Sequence, residues 1–205
     1  MRIEQEVEAR ERFKDELYDG MRKATRLSKQ AIFLVHKRRI TEAKKILEEA
    51  GESFTKLDDI PPVHQELRHA GIVHSAYQEY SEAHIFLNLV EEATFIAPER
   101  INSPSVSYLL GLADVVGELR RKVLDALRDG DVNTAEGDLE TMELIHNEIM
   151  GMDEALHGVS ELRRKTDVAR RIIESTRGDV TIEVRRTALE RSIEKLETAL
   201  QAGEK

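Results

Sequence analysis

Apolar residues recur every three to four positions along nearly the whole chain, and that period leaves little room for any architecture but packed helices. Breakers are scarce. The 205 residues include 11 Gly and 4 Pro, and all four Pro fall in two short segments, 61–62 and 98–104. Strand-favouring aromatics are equally thin, with 5 Phe, 4 Tyr and no Trp. The pattern predicts an all-α fold, an elongated bundle of about seven helices, in one domain over residues 1–205.

The first helix is expected over residues 4–36 and the second over 41–57, parted by the basic turn Lys37-Arg38-Arg39 with Thr41 as N-cap. Asp58-Asp59-Ile60-Pro61-Pro62 is a stop, and its second Pro can open a third helix to residue 95, kinked near Gly71. After the loop at 97–104, whose serines are placed to cap, a fourth helix covers 106–128. Asp129-Gly130-Asp131 turns the chain into a helix at 134–150. Two more follow at 158–177 and 181–202, broken at Gly178-Asp179, and residues 201–205 read as a frayed end.

Several chemistries drop out at once. Without Cys there is no disulfide, thiolate zinc or cysteine nucleophile. MRIEQEVEARERF lacks the apolar run of a secretory signal, and nothing approaches the roughly 20 apolar residues of a membrane span, so a cytoplasmic protein without membrane contact is expected. A net charge of −9 means that nucleic acid, if held, is held by local basic stripes rather than by the average field.

The most telling residue on a helical wheel is Glu79. At 100° per residue, Ile72, Ala83, Phe86 and Val90 fall within about 40° of it, which centres a carboxylate on an apolar stripe. A buried carboxylate must be protonated, paired or metal-bound. Glu82 follows at i+3 on the edge of that face, and two such acids can converge on a hard cation such as Mg²⁺ or Mn²⁺. A second pair, Asp114 and Glu118, points away from the stripe of Leu112, Val115, Val116, Leu119 and Val123, with Ser107, Arg121 and Asp125 beside it. By spacing alone the first pair fits a core ion pair or a site, and the second fits a solvated face laced by salt bridges.

Other signals are weaker. Residues 129–140 resemble an EF-hand loop but carry Thr134 where the sharp turn needs Gly, so a helix connection capped by Thr134 is the better reading. The seven His show no i, i+4 pair, and only His84 lies near the acids in sequence. Arg22, Arg26 and Lys29 share one helix face, and Arg163-Arg164-Lys165 form a second basic patch with Arg170-Arg171. Both are candidate nucleic-acid-binding surfaces, although by sequence alone a solvated surface or an inter-subunit salt-bridge strip is the better fit.

The stretches AIFLVHKRR, AYQEYSEAHIF, YLLGLADVVGELRR and ELRRKTDVARRIIESTRGDV, in this order and spacing, resemble the translin/Trax family over residues 22–199. That resemblance implies a hollow oligomer, an octamer in the family, with RNA or single-stranded DNA held inside. It also implies Mg²⁺-dependent RNA cleavage by acids in the QEYxEA and ADxxGE stretches. These fall on Glu79, Glu82, Asp114 and Glu118, followed by Arg121. The translin subunit is more basic where this chain reads QEYSEA, so the chain looks Trax-like there and would form a homo-oligomer. Ser107 departs from the acid found before the Tyr of the YLLG stretch in Trax, and this chain is shorter. On this reading the Asp114 face lines a closed lumen. A non-catalytic nucleic-acid-binding shell and a purely structural helical oligomer are the alternatives.

Overall fold

A computed structural model describes residues 2–203, and among these the backbone is helical with no strand. The helices are α1 (Arg2–His36), α2 (Ile40–Glu52), α3 (Gly71–Glu92), α4 (Ser105–Arg128), α5 (Val132–Met150), α6 (Asp153–Gly158) and α7 (Ser160–Gly203). Short 3₁₀ segments at Ser53–Leu57, Pro62–His69 and Pro98–Ile101 join them. No described helix is long and apolar enough to cross a membrane.

α4 is the hub. It packs on α3, α5 and α7, while α1 lies along both α3 and α2, and α2 also touches α3. The apolar stripes meet in one continuous core that includes Met21, Ala31, Phe86, Val116, Leu119 and Met142, and burying these stripes is what holds the helices together. Because α4 has neighbours on three sides, its non-apolar face is partly covered. Ser107, placed on that face by the wheel, is fully buried with its hydroxyl unpaired, and it lies away from the acidic cleft described below.

Several boundaries differ from expectation, each for a local reason. α2 starts at Ile40 with Arg39 at its N-cap, so Thr41 is inside the helix and caps nothing; Arg38 makes the turn at φ 57°. α2 also ends at Glu52, beyond which the chain tightens into 3₁₀ geometry. Pro62 opens a 3₁₀ segment rather than α3, and Ala70 is extended (φ −63°, ψ 141°), so there are two elements where one kinked helix was expected. No serine caps α4, whose N-cap is Pro104. At α5 the capping residue is Asp131, not Thr134. Its carboxylate accepts from the Thr134 amide (3.1 Å) and hydroxyl (2.6 Å), which makes 129–140 a helix connection.

The expected break at Gly178-Asp179 is absent, and α7 runs straight through it. Arg120 of α4 donates to Thr176 Oγ1 (2.6 Å) and Asp179 Oδ2 (3.2 Å), and buried Thr176 and Val180 keep this turn seated on the core. Tertiary contacts override a glycine worth only about 1 kcal/mol of helix propensity. Of the expected frayed end, residues 204–205 lie outside the described chain.

Candidate metal and nucleic-acid site

The site begins with a glycine. Gly111 of α4 sits against the backbone of α3 so closely that a Cβ there would lie 2.6 Å from the Gln78 carbonyl oxygen and 2.8 Å from the Glu82 nitrogen. Only a residue without a side chain permits this approach. One turn further along α4, Asp114 and then Glu118 are thereby brought beside Glu79 and Glu82 of α3. All four carboxylates line one open cleft of about 490 Å³, together with Lys29, Ile32 and Phe33 of α1 and Arg121 of α4.

Three of the acids have partners. Glu79 meets Lys29 Nζ at 3.1 Å. Asp114 accepts from Lys165 Nζ on both oxygens, at 2.7 and 2.8 Å, and from the Gln78 amide at 2.7 Å. Glu118 accepts from His36 Nε2 at 2.6 Å. Among the described residues, no side-chain hydrogen bond or ion pair engages Glu82, which is 8% exposed. Its carboxyl is pushed up to about 9, first by burial and then by the charges of Asp114, Glu79 and Glu118, with Lys165 opposing.

Two expectations are corrected here. Glu82, not Glu79, is the acid in the wrong place: the Glu79 side chain is 23% exposed and paired with a largely exposed lysine. The face carrying Asp114 and Glu118 is not a solvated one, since both side chains are 26% exposed and turned toward partners on other helices. His84, near the acids in sequence, is half-buried against Tyr80 outside the cleft, and its partial burial lowers it to about 4.

The basic residues divide. Lys29 and Lys165 enter the acidic site, whereas Arg22 and Arg26 are exposed along α1 outside the cleft, with Arg22 on Asp19 at 2.7 Å. Arg163 is exposed, and Arg164 lines a neighbouring groove of about 360 Å³ between α4 and α7 that shares Asp114 and Lys165 with the site. Arg121 is exposed at the rim of the cleft. Sequence reasoning missed Gln78 and His36. Gln78 stands next to Glu79 and could have been suspected; His36 lies 82 positions from Glu118, with no local signal linking them.

Hard oxygen donors crowded around a buried carboxyl fit a hard divalent cation, whose charge would offset the burial and repulsion that protonate Glu82. They are not a finished cage. Among the described residues no three His, Asp or Glu side chains converge closely enough to hold a metal ion, and Lys29 and Lys165 occupy two of the acids. Binding would require the two lysines to swing away, which their long stems allow.

Comparison with known proteins agrees with this architecture. An uncharacterized protein of Methanocaldococcus jannaschii is 31% identical over 168 residues, 78% of this chain and 70% of that protein. Translin-associated protein X of Mus musculus is 30% identical over 174 residues, covering 64% of this chain and 59% of the mouse protein. Among solved structures, AfC3PO superposes with a TM-score of 0.77 at 32% identity over 91% of this chain and 98% of that one, and the AfC3PO–duplex RNA complex with 0.75 at 31% over the same shares. Apo-NeC3PO shares the fold, with a TM-score of 0.79 at 22% identity over 89% of this chain and 95% of that one. The sequence profile of the Translin family matches residues 12–200, and the chain belongs to that family.

Proposed function

We propose that this protein is a metal-dependent endoribonuclease that cleaves RNA inside a hollow homo-oligomer, an octamer, of identical subunits. The observation carrying this reading is that Glu79, Glu82, Asp114 and Glu118, from two helices, line one open cleft beside Arg121. These four acids would hold Mg²⁺ or Mn²⁺, which when bound supplies an activated water and neutralises charge on the phosphate.

The chain's own residues do the rest. Arg121 at the rim would steady a phosphate oxygen by charge-assisted hydrogen bonds. Lys29 and Lys165, once released from Glu79 and Asp114, are within the site and available to the RNA backbone. Arg22, Arg26, Arg163 and Arg164 would track phosphates further out without reading sequence. The duplex RNA held by AfC3PO, a relative of 31% identity over most of the chain, supports RNA as the ligand class.

A purely structural role for the acids would need Glu79 paired with a buried cation in a filled space. Instead Lys29 is 62% exposed and the cleft is open. Self-assembly has its own support. Beyond Val180, among the residues whose burial is described, none of α7 is buried, yet Ile182, Leu189, Ile193, Leu196 and Leu200 are 47–68% exposed at intervals of seven, four, three and four. An apolar stripe of that period on a helix leaving the subunit body suits burial against other subunits.

The test is incubation of the purified chain with labelled single-stranded RNA, with Mg²⁺ or with chelator, beside Asp114→Asn. The expected result is metal-dependent cleavage by wild type and none by the variant, with RNA binding and assembly mass retained. Undiminished cleavage by the variant would rule out the site. Salt-sensitive RNA binding with no product from wild type would leave a binding shell instead.

A further inference from the structure

The partners of the acids are not alike. Lys29 and Lys165 reach them on long flexible stems, and Lys29 is mostly in solvent. His36 is different. It is the last residue of α1, its side chain is 4% exposed, and its ring lies 4.8 Å from that of Phe86, tilted by 42°. Phe86 is fully buried on α3, one turn beyond Glu82. A carboxylate can only accept, so the imidazole carries a proton on Nε2 and donates to Glu118 Oε2 at 2.6 Å. Three helices thus meet at one ring, and the ring fixes one oxygen of one acid.

We infer that His36 is a positioning residue: it holds Glu118 Oε2 and thereby orients the carboxylate for the cation proposed above. The inference rests on that reading of the site. An imidazole turns about two bonds, and packing against Phe86 removes most of that freedom, so the orientation of Glu118 is set before any ligand arrives. Lys29 and Lys165 must leave their acids when a cation binds. His36 need not, because it takes Oε2 and leaves Oε1. Outer hydrogen bonds of this kind fix the geometry of ligating groups, and losing them weakens metal sites about 10–100-fold.

The test is a Mn²⁺ titration followed by electron paramagnetic resonance on the full-length protein, comparing wild type with His36→Gln, His36→Leu and Glu118→Gln. A glutamine amide reaches about as far as Nε2 and keeps the donor; leucine removes it. His36→Leu is expected to weaken Mn²⁺ binding by roughly 10–100-fold, and His36→Gln by no more than about threefold. If His36→Leu does not fold, His36→Asn, whose amide sits nearer the Nδ1 position, takes its place with the same expected loss. Wild-type affinity in His36→Leu would overturn the proposal. So would equal losses in His36→Gln and the donor-free variant, since the ring would then matter only as packing. A wild-type protein with no Mn²⁺ site sensitive to Glu118→Gln would remove the site reading itself, and the positioning role with it.

Discussion

Glu82→Gln is expected to stabilise the metal-free protein at neutral pH while abolishing its metal binding. The Glu82 carboxyl is raised from an ordinary value near 4.5 to about 9, so between those values the folded chain binds a proton that the unfolded chain has released. Stability is therefore greatest below the unfolded value and declines as pH rises toward the folded one, the reverse of a salt-bridged acid. At pH 7 the difference is at most about 3 kcal/mol, from roughly 1.4 kcal/mol per pH unit. Glutamine has the same shape and no charge to suppress. In chelator at pH 7–8 the variant should gain about 1–3 kcal/mol, or several degrees in Tm at roughly 2–4 °C per kcal/mol. The dependence of Tm on pH between about 5 and 9 should flatten with it. An unchanged pH slope, or a variant that melts below wild type in chelator, would show that burial beside the other three acids does not hold Glu82 protonated. A site that costs stability is what a binding function leaves behind.

Among the described glycines, Gly111→Ala should have the largest structural effect. The obstacles it would meet, the Gln78 carbonyl oxygen at 2.6 Å and the Glu82 nitrogen at 2.8 Å, are backbone and cannot rotate aside. α4 must move off α3, at about 1–3 kcal/mol for an overpacked contact. The same shift carries Asp114 and Glu118 away from Glu79 and Glu82, where a displacement of about 1 Å can cost on the order of 100-fold in rate. Gly117→Ala on the same helix is the control. Nothing lies within 4 Å of a Cβ there, so it should be neutral or gain up to about 1 kcal/mol from helix propensity. Equal melting temperatures for the two alanine variants would contradict the close-approach account.

These two predictions mark where sequence and structure part. The helical period, the stripe of α4 and the four acids can all be read along the chain, since each depends on spacing within one helix. The wheel could not show which acid of the first pair is buried. It ranked Glu79 by its neighbours on α3, but Glu82 is the one covered by α4, and that cover depends on a glycine 29 positions away. The partners escaped for the same reason. His36, Gln78 and Lys165 come from α1, α3 and α7, and only packing brings them to Glu118 and Asp114. Local rules also failed where tertiary contact outweighs them, as at Gly178-Asp179, where Arg120 holds the helix together.

The most direct measurement is anomalous diffraction from crystals of the protein grown or soaked with Mn²⁺. An anomalous peak enclosed by Glu79, Glu82, Asp114 and Glu118, with Lys29 and Lys165 withdrawn from their acids, is the predicted result. A cleft that stays free of manganese while both lysines keep their ion pairs would contradict it.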